Sequence, residues 1–100
     1  MDARARIEAA EAALNGSREV LDRFSAALDE FAAAQDQVAA VSNYLGSEEW
    51  FEDRDAHDAG GLREVAAGIL SEDLGYDLIV DNREIAIRML ETATRILRDL

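Results

Sequence analysis

Residues 3–45 read ARARIEAAEAALNGSREVLDRFSAALDEFAAAQDQVAAVSNYL. Within them Ile7, Ala10, Leu14, Ser17, Leu21, Phe24, Leu28, Phe31, Gln35, Val38, Ser42 and Leu45 fall on alternating steps of three and four residues. A 3.5-residue period held over nearly half a chain predicts a long amphipathic helix built to lie along other helices. Ile7, Leu14, Leu21 and Leu28 take the a-type positions, and Phe24, Phe31, Val38 and Leu45 take d-type positions. Ala13, Val20, Ala27, Ala34 and Val41 widen the stripe on one side, as a helix buried in a bundle requires. Asn15-Gly16-Ser17 leaves two alternatives, because Gly16 is able to end one helix and Ser17 to cap another. The heptad phase passes through the triplet unbroken, and one interior glycine costs only ~1 kcal/mol. One helix over about 3–45 is therefore favoured, with a kink or break at 15–17 as the alternative.

Working outward, Gly46 stops this helix, and Ser47 followed by Glu48 and Glu49 reads as an N-cap with acids in the first turn. A short helix is expected over about 47–57. Gly60-Gly61 breaks the chain, and Leu62, Val65, Ala66, Ile69 and Leu70 suggest a second short helix over 62–69, weakened by Gly68. Ser71 with Glu72 and Asp73 opens a third, over 71–80. Asp81 and Glu84 resemble a capping box and start a C-terminal helix over 82–99, with Ala86, Met89, Leu90, Ala93, Ile96, Leu97 and Leu100 inward. The fold class is all-α: an elongated helical bundle forming a single domain over 1–100.

Size adds a constraint. A straight helix of about 43 residues is ~65 Å long, whereas a compact domain of this length has a diameter of about 30–35 Å. The C-terminal helices lie end to end along the first, or the first bends, or a second subunit covers the surplus stripe. Self-association, most simply as a dimer, is the expectation.

Composition narrows the function classes. Alanine occurs 19 times and proline never, the composition that all-α chains commonly show. The absence of cysteine removes disulfides and thiolate metal sites and fits a reducing cytoplasm. The first residues mix Asp2 and Glu8 with Arg4 and Arg6 and carry no apolar run of the signal-peptide kind, and no stretch approaches the ~20 apolar residues of a membrane span. A cytoplasmic location is expected. Twenty-two acids against ten arginines give a net charge of −12, which argues against direct binding to nucleic acid or to an anionic membrane.

Two further blocks carry a resemblance. Tyr44, Gly46-Ser47-Glu48-Glu49-Trp50, Asp53 and Gly60 form the first; Leu70-Ser71-Glu72-Asp73, Tyr76, Leu78, Asn82-Arg83-Glu84, Ala86 and Met89-Leu90 form the second. Together they resemble a small bacterial family known as domain of unknown function 4298, over nearly the whole chain. The departures are Tyr44-Leu45 where the family more often has paired tyrosines, and Asp77 where asparagine is usual. The resemblance implies a helical fold and carries over no activity, cofactor or catalytic residue.

Chemistry has little to build on. Glu49, Asp53 and His57 are four apart and share a helix face, which makes them weak candidates for three ligands to Zn²⁺ or Mn²⁺. An EF-hand register fails whether it starts at Asp53 or at Asp55. The plainer account of residues 48–58 is a solvated acidic segment, with Asp53 as a partner for His57. The four C-terminal arginines are better used in the i,i+4 pairs Glu84–Arg88 and Glu91–Arg95 than in a basic groove. Tyr44, Trp50, Phe51 and Tyr76 cluster around the helix joints, as a small core or as a partner-binding patch. Asn82-Arg83, at a helix start, suggests capping and a buried polar network. No catalytic residue, metal or cofactor is assigned. A non-enzymatic protein–protein interaction module follows, with an acidic mimic of nucleic acid that inhibits a basic protein as the alternative, and a metal-dependent sensor or enzyme built on 48–58 third.

Overall fold

In the computed structural model, which describes residues 2–100 and of Glu72 the backbone alone, every regular element is helical. The order is α1 (Ala3–Tyr44), α2 (Glu48–Asp58), a single 3-10 turn (Gly68–Leu70) and α3 (Glu72–Asp99). No strand occurs among the described residues. The chain divides into two compact units, Met1–Gln35 and Asp36–Leu100.

The first unit is helix throughout from Ala3. Asp2 starts it: its Oδ1 accepts from the backbone N–H of Ala5 at 2.8 Å, satisfying a donor of the first turn. Beyond that point alanine-rich propensity and the unbroken heptad carry the helix through Asn15-Gly16-Ser17 without interruption. Space around Gly16 is open, so nothing but its own backbone freedom weakens the helix there. Arg4–Glu8 at 2.9 Å and Arg18–Asp22 at 3.9 Å are exposed pairs one turn apart, each contributing a few tenths of a kcal/mol.

The second unit is organised around two turns. Leu45 N–H still bonds to Val41, and Gly46 then takes φ +74°, a left-handed conformation that ends α1. Ser47 serves both helices. Its hydroxyl donates to the Tyr44 carbonyl at 2.7 Å and accepts from Trp50 N–H at 3.1 Å, so the last turn of α1 and the first turn of α2 share one side chain. Glu48 and Glu49 sit in that first turn, where the helix dipole favours acids.

Two elements differ from the sequence expectation. Residues 62–69 form turns and the 3-10 segment, not an α-helix. Three glycines (60, 61 and 68) lower the helical propensity, and the carbonyl of Ile69 is taken by the indole of Trp50, an acceptor a continuing helix would use for itself. Residues 71–80 and 82–99 are one helix. Asp81 and Glu84 stand mid-helix on its surface, where backbone N–H groups already bond to the preceding turn and a cap has nothing to satisfy. Ser71 holds the N-cap position of α3 without a side-chain hydrogen bond.

Candidate functional site

The α1–α2 joint gathers most of the residues singled out above. Trp50, in the first turn of α2, is the one buried apolar side chain among the described residues, 2% exposed, and its Nε1–H donates to the Ile69 carbonyl at 3.0 Å. That bond ties the 3-10 turn to α2. Phe51 meets the Trp50 ring edge-on at 5.0 Å but leaves half its surface in solvent. The Arg54 guanidinium lies over the Trp50 ring, 5.0 Å from its centroid, where a cation meets the negative face of the π system. Behind the joint, Gly75 of α3 is buried against Leu45: a β-carbon at position 75 would stand 2.7 Å from both Leu45 δ-carbons.

On the outer side of the joint, the Tyr44 hydroxyl donates to Asp53 Oδ2 at 2.6 Å. That hydrogen bond, then partial burial, then the negative charges of Asp53 and Glu49 raise the Tyr44 hydroxyl above its ordinary value of 10.0. Each cause favours the neutral phenol. Asp53 is thus engaged by Tyr44 and not by His57. Among the described residues, no three of the His, Asp and Glu side chains come together as a metal-holding group, so Glu49, Asp53 and His57 do not converge. A shared helix face aligns residues along the axis but leaves them a full turn apart, ~5–6 Å between β-carbons.

The remaining candidates are dispersed. Tyr76 is exposed on α3. Asn82 is half-buried and Arg83 exposed, both in the middle of that helix and not at its start. Among the described residues the ion pairs include Arg4–Glu8, Arg18–Asp22 and Arg98–Asp99, and Glu84–Arg88 and Glu91–Arg95 are not among them; an exposed pair is worth only a few tenths of a kcal/mol. Arg98 pairs instead with its neighbour Asp99 at 2.9 Å.

The first unit presents a different kind of surface. Every residue from 6 to 30 is exposed, including Ile7 (63%), Leu14 (58%), Val20, Leu21, Phe24 (54%) and Leu28. The heptad stripe is therefore bare where a packed helix would have it covered. Scattered apolar residues need no explanation, but five in one heptad phase along six turns, with Val20 beside them, form a continuous face. Sequence reading found this face through its period. It missed the Asp2 cap, whose signal was a plain N-cap residue ahead of the helix, and it missed Gly75, whose reason lies in Leu45 and leaves no local trace.

The chain belongs to the family described as Domain of unknown function (DUF4298), whose model matches residues 7–92, a span that takes in both the stripe and the joint. No curated protein and no solved structure matches it.

Proposed function

We propose that this member of the DUF4298 family is a non-enzymatic protein–protein interaction module that works through the apolar face of α1 and takes a second copy of itself as its first partner. The observation that carries this is the bare stripe from Ile7 to Leu28 in a unit that contains no second helix. Helices gain most of their stability in proteins from packing an amphipathic face. Fully burying one Leu, Ile or Phe side chain contributes ~1.5–3 kcal/mol, so six left in water represent a strong drive towards a partner. No described helix is long and apolar enough to cross a membrane, and a net charge of −12 disfavours an anionic membrane surface, which favours a protein as the cover. The lack of cysteine suits a reducing, cytoplasmic setting.

Light scattering over a dilution series tests it. The expected mass is twice 11.0 kDa at high concentration, falling towards one chain on dilution. Leu21→Asp, which places a charge mid-stripe, should give a monomer at every concentration. A wild-type monomer at millimolar concentration would reject self-association, and capture from the native host would then have to supply a different partner.

A further inference from the structure

The two edges of the bare stripe differ in size, and that difference has a direction. The a-type positions of residues 3–28 are all large: Ile7, Leu14, Leu21 and Leu28. The d-type positions are small at Ala3, Ala10 and Ser17, and large only at Phe24. In a parallel pair each residue meets its own copy, so Ala10 faces Ala10 and Ser17 faces Ser17, leaving voids between layers that stack Leu on Leu and Phe on Phe. In an antiparallel pair a faces d, so large meets small.

We propose that residues 3–28 pair with the same residues of a second copy in antiparallel fashion, with the two-fold axis between Asn15 and Gly16. This rests on the self-association proposed above and adds orientation and register to it. In this register Leu14 meets Ser17, Leu21 meets Ala10, Leu28 meets Ala3 and Ile7 meets Phe24. Charges along the seam agree. Glu11 and Arg18 occupy the flanking e-type positions, and the register places each Glu11 beside the other copy's Arg18, twice by symmetry. Arg18 is free enough to take part, since its bond to Asp22 is loose at 3.9 Å and two-thirds of its side chain is exposed. Moving the axis one heptad, to between Asp22 and Arg23, sets Leu14 against Phe31 and Leu21 against Phe24, puts Gln35 on Ala10, and pairs Arg18 with Ser25. The area suffices: six side chains leaving on the order of 100 Å² open each supply about 600 Å² per copy, before flanking alanines, against ~800 Å² per partner in a standard interface.

The cysteine-free chain allows single nitroxide labels at will. Glu30→Cys and Asn15→Cys both lie on the outer face, and pulsed dipolar spectroscopy reads the distance between two labelled copies. The expected result is at least ~44 Å for Glu30 and about 20 Å for Asn15, from a 1.5 Å rise per residue and the width of two packed helices. About 20 Å at both sites means a parallel pair and overturns the orientation. Similar intermediate distances at both mean the shifted axis and overturn the register. No dipolar coupling, with a monomer mass in solution, overturns the self-association itself. Charge exchange gives an independent measurement. Glu11→Arg should weaken the dimer roughly tenfold, and adding Arg18→Glu should restore it. Rescue by Arg6→Glu instead would indicate the parallel arrangement, in which Glu11 faces Arg6.

Discussion

The δ-carbons of Leu45 occupy the space that a β-carbon on Gly75 would need, at 2.7 Å. The residue just past the end of α1 is thereby locked against the first turn of α3. Gly75→Ala should cost ~1–3 kcal/mol by overpacking, even though alanine is the better helix former by ~1 kcal/mol. Denaturant titration of Gly75→Ala, Leu45→Ala and the double variant checks it. The expected outcome is coupling, with Gly75→Ala far less harmful once Leu45 is truncated.

The same substitution at Gly16 should have the opposite sign. Apart from its chain neighbours and the backbone of its own helix turns, no atom lies within 4 Å of the β-carbon it would gain, and the residue is mid-helix. Gly16→Ala is expected to stabilise α1 by ~0.5–1 kcal/mol, read as a higher midpoint of the ellipticity transition at 222 nm.

Trp50→Ala should destabilise the second unit by ~3–5 kcal/mol through lost contacts and a cavity. Trp50→Phe keeps most of the packing but removes the donor to Ile69, leaving that carbonyl without its indole partner, at ~1–3 kcal/mol. Phe51→Ala, at a half-exposed ring, should cost less than ~1 kcal/mol. If thermal melting shows Trp50→Ala unchanged from wild type, Trp50 does not hold the joint.

Tyr44 titration offers a pH-dependent readout. Its folded value is raised, so the folded state holds the phenol proton more tightly than the unfolded chain. The associated stability is complete below the ordinary tyrosine range and is lost as pH rises through the higher, folded value. In a Tyr76→Phe background, absorbance at 295 nm should follow Tyr44 alone and ionise above 10.0. Asp53→Asn should bring that transition back down, because the hydrogen bond to the carboxylate is its largest cause.

What could be read from the sequence was what neighbouring residues decide. The period of α1 and the stop at Gly46 are local, as is the Ser47 cap on Trp50, three residues on. Residues 62–69 carry helical apolar spacing but take another conformation, which depends on a bond to Ile69 from Trp50, nineteen residues earlier. At Asp81 and Glu84 the opposite happened: a local start signal was present, but the apolar spacing through Leu78, Ile85 and Met89 continued across it and the helix followed the spacing. Tyr76 and Phe51 look like core residues by type, and only packing assigns them to the surface.

Trp50, Tyr44 and Tyr76 are the chain's full set of indole and phenol rings, and all three belong to Asp36–Leu100. Near-ultraviolet emission therefore sees that unit alone, while residues 3–35, with two phenylalanines, speak only through ellipticity. Emission thus reads the second unit alone, and ellipticity reads the helices of both. If a second copy holds the first unit, dilution will lower the midpoint of that unit's share of the ellipticity by mass action and leave the emission midpoint where it was. The gap between the two curves then measures how much cooperativity crosses the seam at Gln35 and Asp36, in a chain whose longest helix belongs to both sides.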